Sequence, residues 1–186
     1  MNYRHFLFLA IALIISLSVR AQFILTPTGL TTEDEKGYYV LNVEDKTQQE
    51  LYDAVSVWIG GHFVSPKDVV SASPSNSQIT LNAIARGLTK MPNRMVKVPV
   101  DVNFTWQFLF KDGKIRFNAP TINSMDADGK IVQSLYIVRP NAVSDGIFKK
   151  DGKLVDEYSK KQIEDFFNQM IEDIAKSLTD NTADEW

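Results

Sequence analysis

From Val96 to Phe110 every even position is apolar: Val96, Val98, Val100, Val102, Phe104, Trp106, Phe108 and Phe110. The odd positions between them are Lys97, Pro99, Asp101, Asn103, Thr105, Gln107 and Leu109. Strand side chains alternate between faces, so this period of two predicts a long strand with one buried and one wet face. Pro99 has no amide proton for a ladder, which requires an edge or a bulge at that point. "KDGK" follows, and Asp112-Gly113 is the preferred chemistry for a two-residue hairpin turn. Pairing Lys111 with Lys114 sets Phe110 opposite Ile115, Phe108 opposite Phe117 and Trp106 opposite Ala119. All the apolar residues then share one side, and a slip of one residue would turn a whole set into water.

Two stretches carry a helical period instead. In "TQQELYDAVSVWIGGHF", Thr47 and Glu50 form a capping box, and Leu51, Ala54, Val55, Trp58 and Ile59 fall on one face. Gly60-Gly61 weakens its end. In "SKKQIEDFFNQMIEDIAKSL", Ser159 and Gln162 read as a second capping box, and Ile163, Phe166, Phe167, Met170, Ile171, Ile174 and Leu178 make the apolar arc. Among the shorter signals, "YYVLNV" (Tyr38 to Val43), Val69 to Ser71 and "QITLNAIA" (Gln78 to Ala85) read as strands, "SPKD" as a turn and "GLTKMPNRM" (Gly87 to Met95) as a loop. "MDADGKIVQSLYIV" adds a turn and a strand.

The pattern predicts an α+β fold: an antiparallel sheet of about five to six strands with two helices packed on its apolar face, in the order β-α-β(4)-α. The single domain is expected to cover 37–178, preceded by a polar, turn-rich N-terminal arm at 22–36 and followed by an acidic, disordered tail at 179–186.

In that order, "ELYDAVSVWI", "VSPKDVV", "FKDGKIRFNAP" and "FFNQMI" resemble a family of uncharacterised secreted bacterial proteins, a domain of unknown function with a TATA-binding-protein-like fold. The resemblance runs from about Leu25 to the C-terminus and rests on structural motifs: a helix face, a turn, a hairpin and a closing helix. It implies the same sheet-and-helix order and carries over no catalytic residue. Nor does it imply DNA binding, since function belongs to sites rather than folds.

Composition narrows the function classes. "FLFLAIALIISL" (Phe6 to Leu17) is a 12-residue apolar run behind Arg4 and His5, with Val19 and Ala21 placed for a signal peptidase. The run is too short for a ~30 Å hydrocarbon core, so residues 1–21 read as a signal peptide, and the protein is expected to be exported, periplasmic or secreted, with no membrane span after cleavage. No cysteine follows, which closes the bacterial lipoprotein route and excludes disulfides and thiolate chemistry. Cleavage before Gln22 leaves 165 residues with 18 basic and 23 acidic side chains. That balance argues against a nucleic-acid partner, which needs clustered Lys and Arg.

Candidate chemistry is sparse. His62 lies at the end of the first helix, where a general base would need a partner, and a terminal-turn histidine that packs its ring is the plainer reading. Asp126 and Asp128 in "DADGK" begin like a calcium loop, but Lys130, Ile131 and Ile137 stand where that loop needs a ligand, a glycine and a glutamate, so a hairpin turn is expected. "NFT" (Asn103 to Thr105) matches a glycosylation acceptor but lies within a strand. No catalytic residue, metal site or cofactor is expected. The leading expectation is a non-enzymatic binding or accessory domain of the bacterial cell envelope, with an unknown protein or small-molecule partner. One alternative is a carrier of small apolar ligands, with Trp106, Phe108, Phe117 and Phe167 lining a pocket under the C-terminal helix; at strand periodicity, core packing is the default for these rings. The other is a carboxylate-dependent hydrolase, which needs two converging aspartates with divergent pKa values.

Overall fold

The computed structural model describes residues 23–72, 75–93, 96–127 and 134–179; the expected signal peptide, Asp128 and the tail from 180 onward lie outside the described residues. Among the described residues, ten strands and three helices follow in the order β1 (Phe23–Thr26), β2 (Gly29–Thr32), β3 (Tyr38–Asn42), α1 (Gln48–His62), α2 (Pro66–Val69), β4 (Val70–Ala72), β5 (Gln78–Asn93), β6 (Val96–Lys111), β7 (Lys114–Asn118), β8 (Thr121–Ala127), β9 (Tyr136–Val138), β10 (Gly146–Phe148) and α3 (Glu157–Thr179). The main sheet has the antiparallel order β3-β7-β6-β5-β4, and β8 also pairs with β6. β7 and β8 occupy successive stretches of β6, opposite Phe108–Lys111 and then Val100–Thr105. Counted as one broken strand, they complete the expected β-α-β(4)-α order.

β6 is the spine. Its even positions from Val100 to Phe110 are buried, as the alternation requires. The pattern ends before its first residue, because Val96 sits at the tip of the β5–β6 hairpin and is 62% exposed. The Asp112-Gly113 hairpin has the expected register: Lys111↔Lys114, Phe110↔Ile115, Phe108↔Phe117. Gly113 supplies a φ of +73°. Pro99 pairs with Lys90 of β5 but lies just before the β8 pairing begins, where the other flank of β6 carries no partner strand among the described residues.

Three expectations are corrected. Residues 87–93 are not a loop: β5 runs on to Asn93 through a bulge in which Arg86, Gly87 and Leu88 lie opposite Asp101 alone. Gly87 adopts φ +59°, and its amide donates to Asp101 Oδ1 at 2.7 Å, so the side chain of the facing residue satisfies the amide that the bulge frees. The segment at 22–36 is not an arm either. β1 and β2 form a hairpin with Phe23 and Leu25 buried, and β1 docks on α3: Phe23 N donates to Asn168 Oδ1 at 2.8 Å, Asn168 Nδ2 donates to Phe23 O at 3.1 Å, and Leu25 N donates to Glu164 Oε1 at 2.6 Å. Polar side chains of α3 thus stand in for a neighbouring strand along β1. Thirdly, α3 begins two residues before the expected capping box. Asp156 accepts from Ser159 N at 3.0 Å and from Ser159 Oγ at 2.7 Å, and Ser159 itself is buried, receiving a bond from Thr89 Oγ1 at 2.8 Å. The box on α1 forms as expected, with Thr47 and Glu50 bonded reciprocally.

The two long helices, α1 and α3, cover one face of the sheet. Tyr52 of α1 meets Phe110, and Phe166 and Phe167 of α3 meet Phe104, all edge to face. These are even positions of β6, so the odd positions are left on the opposite face.

Candidate functional site

The odd positions of β6 and the residues beside them form an open sheet face of hydroxyls and amides. In the register, Asn103, Thr105, Gln107 and Leu109 of β6 are flanked by Ile84, Asn82, Thr80 and Gln78 of β5, and Arg116 and Asn118 of β7 by Val40 and Tyr38 of β3. Thr105 Oγ1 donates to Asn82 Oδ1 at 2.9 Å and accepts from Asn123 Nδ2 at 3.0 Å, linking three strands. Asn118 Nδ2 donates to Gln107 Oε1, and Asn118 Oδ1 accepts from Arg116 Nε at 2.9 Å. The guanidinium of Arg116 stacks 3.9 Å above the Tyr38 ring centroid. Each bond uses one valence of groups that can make several, so donors and acceptors remain for a ligand laid across the face. Ile84, 52% exposed, is its main apolar feature. The "NFT" sequence lies inside this face: Asn103 and Thr105 are half-buried in the central strand and paired on both sides.

At the corner where β2 turns into β3, a cleft of about 540 Å³ is lined by Thr32, Glu33, Asp34, Lys36, Tyr38, Tyr39 and Val40. The Lys36 ammonium, 2.6 Å from Asp34 Oδ2, and then the Thr32 hydroxyl hold the Asp34 carboxyl down at about 2. Burial raises the Tyr39 hydroxyl above its ordinary value.

A second cleft, about 570 Å³, lies between the end of α1 and α3 and holds His62 beside Leu88, Phe166 and Met170. The His62 ring stacks on Trp58, centroids 4.3 Å apart and planes 19° from parallel. Of the carboxylates on the α3 wall, Asp165 is engaged by Lys161 and Asp173 by Gln169, along their own helix. Among the described residues no hydrogen bond orients the imidazole, so the geometry gives His62 the packing role expected of a terminal-turn ring.

Trp106, Phe108, Phe117 and Phe167 are all brought together, at most 1% exposed each. Trp106 meets Phe108 at 4.8 Å, Phe167 at 5.3 Å and Phe117 at 5.9 Å, and Phe108 meets Phe117 at 5.1 Å. The Trp106 indole N–H donates to Asn118 O at 2.7 Å, which satisfies its one polar atom. None of the clefts described here is lined by these rings, and their contacts are those of a filled core.

Several aspartates serve turns, caps and a bulge. Asp112 accepts from Gln48 N at 2.8 Å, Asp151 from Lys153 N at 3.0 Å, Asp101 closes the bulge and Asp156 caps α3. Asp126, from the expected hairpin turn, closes β8 and accepts from Ser134 Oγ at 2.9 Å. Among the described residues there is no group of three or more His, Asp or Glu placed to hold a metal ion, and no helix long and apolar enough to cross a membrane.

Two solved structures share this architecture. One is a TBP-like protein from Parabacteroides distasonis ATCC 8503, with a TM-score of 0.53 and 14% identity over 77% of this chain and 91% of that one. The fold is TBP-like. The other is a DUF4468 family protein from Bacteroides ovatus ATCC 8483, with a TM-score of 0.51 and 14% identity over 76% of this chain and 84% of that one. No protein-family model and no curated protein matches the chain. At this identity the likeness concerns the fold alone, and it agrees with the resemblance carried by the helix, turn and hairpin motifs.

Proposed function

We propose that the protein is an exported, non-enzymatic binding domain of the bacterial cell envelope that holds a polar partner against its open sheet face. The observation that carries this reading is the amide and hydroxyl lattice running from Asn123 through Thr105 to Asn82, with Gln107, Asn118 and Arg116 beside it. A sheet needs one buried face for stability; the other is free to be shaped by binding, and here it offers fixed, directional hydrogen-bonding groups. Its mixed Asn, Gln and Thr character favours a neutral, hydrated surface over a phosphate backbone, which a run of cations would serve. Export is supported by the signal-peptide pattern at 1–21. The commitment of Asp101, Asp112, Asp126, Asp151 and Asp156 to turns, caps and a bulge supports a non-catalytic role.

The test is native mass spectrometry of the protein purified gently from the envelope fraction, alongside Asn82→Arg, Ile84→Arg and, as a control on the outer face of α1, Val57→Arg. The expected result is a partner retained by the parent and by Val57→Arg and lost from both face variants. A bare monomer, a partner indifferent to the face variants, or turnover abolished by changing one polar residue would each overturn the reading.

A further inference from the structure

A third cleft, of about 310 Å³, opens between the far end of the β5–β6 hairpin, the β9–β10 pair and the start of α3. We propose that it is a binding site for a small phosphate-bearing molecule, held by Lys90, Lys97 and Arg139. The hairpin register sets Lys90 opposite Pro99 and Lys97 opposite Pro92. Both lysines therefore project from the same side of the ribbon, and each faces a proline, which offers it neither a carboxylate nor any other polar side-chain atom. None of the three cations forms an ion pair among the described residues; Lys97 Nζ rests 5.6 Å from the Tyr158 ring centroid, on the rim of the cleft.

Arg139 is the stronger indication. Its Nε is buried and has no hydrogen-bond partner among the described residues. A buried donor on a charged group is rarely left unmet, and an absent ion or ligand is one ordinary reason. The backbone is shaped to bring Arg139 there: a Cβ on Gly146 would lie 2.8 Å from Arg139 N, so glycine is what allows β10 to pass so close. A planar guanidinium that shares one cleft with two lysines suits the several oxygens of a phosphate. Two carboxylates share the lining. Asp156 is spent on Ser159, with both oxygens engaged, whereas Asp145 has no side-chain hydrogen bond among the described residues and can accept from a ligand hydroxyl. The volume, at the low end of the ~300–1,000 Å³ range of ligand pockets, fits a phosphomonoester with a short hydroxylated body.

Titration of the folded protein with inorganic phosphate and with glycerol 3-phosphate, at fixed low ionic strength and followed by calorimetry, tests the proposal. Saturable one-site binding is expected, tighter for glycerol 3-phosphate. Lys97→Gln and Lys90→Gln, both exposed and neutral to folding, should each weaken it about tenfold, and Arg139→Gln more, if that variant folds. Lys111→Gln, at the other end of β6, should leave it unchanged. Phosphatidic acid vesicles separate the two sources of such a group: sedimentation with them, reversed by glycerol 3-phosphate, identifies a lipid headgroup, and its absence identifies a free ester. No saturable binding, or equal weakening by Lys111→Gln, overturns the site. Asn82→Arg should not affect this titration, so its outcome and that of the open-face test are independent.

Discussion

The seam between β1 and α3 gives a sharp test of the architecture. Asn168→Ala removes both bonds to Phe23, leaving its amide and its carbonyl without their partners, at 2.8 and 3.1 Å in the parent. Phe23 cannot withdraw to recruit water, because its side chain is fully buried and β2 holds it through the Phe23↔Thr32 pair. A lost hydrogen bond weakens a fold by about 0.5–1.5 kcal/mol, and an orphaned buried group by about 1–3. Both bonds here are only partly buried, so about 2 kcal/mol is expected for the pair. With a slope of about 2 kcal/mol/M, the urea midpoint should fall by about 1 M with the slope unchanged. Asn168→Asp keeps the acceptor for Phe23 N and loses the donor, so it should show roughly half the effect. Hydrogen exchange at the Phe23 amide should accelerate in parallel. A midpoint within about 0.2 M of the parent, with the Phe23 amide still slow to exchange, would refute the reasoning and leave side-chain burial as the sole anchor of the hairpin.

Phe167→Ala should cost about 3–5 kcal/mol, read from urea or thermal unfolding, because it empties the space between Phe104 and Trp106; a loss below about 1.5 would mean the rings re-close over it. Gly87→Ala places a side chain at φ +59° in the bulge and should cost about 1 kcal/mol, and Asp101→Ala added to it should cost less than the two changes separately, since both disturb the Gly87–Asp101 contact. Asp34 titrates near 2 in the folded protein against 3.8 for the free group, so its stabilisation is complete above about pH 4 and is lost as pH falls through 2. Asp34→Asn should therefore give an acid-unfolding curve that differs from the parent at neutral pH and meets it at the acid end; parallel curves throughout would contradict the assigned pairing with Lys36 and Thr32.

What the sequence disclosed follows from how local each signal is. The β6–β7 hairpin was readable because one residue of slip inverts its faces, and the α1 cap because both partners sit within one turn. The second half of β5 was hidden by Gly87 and Pro92, residues that signal loops: the bulge breaks the alternation, and Asp101, fourteen positions away, repairs it. β1 and β2 were hidden for the same reason, since the partners that make a polar, threonine-rich segment worth ordering are on α3. Ser159 looked like a cap because it precedes a glutamine at the right spacing, yet Asp156 takes that role and frees Ser159 for Thr89. The polar character of the open face was legible from the odd positions of β6, but the cross-strand bonds required register. The Lys90, Lys97 and Arg139 cleft joins residues from β5, from β6 and from just beyond β9, and no local pattern announces it.

The Asp112-Gly113 turn also bears on how the molecule ages. An aspartyl–glycine linkage isomerises when the glycine nitrogen closes onto the side-chain carbonyl before it, forming a cyclic imide that reopens with the chain rerouted through the β-carbon. Both participants are occupied here: Gly113 N donates to Lys46 O at 2.8 Å, and Asp112 Oδ1 accepts from Gln48 N at 2.8 Å. Asp151-Gly152 is restrained in the same way, with Gly152 N on Lys149 O at 2.9 Å and Asp151 Oδ1 on Lys153 N at 3.0 Å. The contacts that pin the hairpin to α1 thereby hold a chemically fragile linkage away from ring closure. In a protein without disulfides, slow covalent damage at these turns becomes a consequence of unfolding rather than of time.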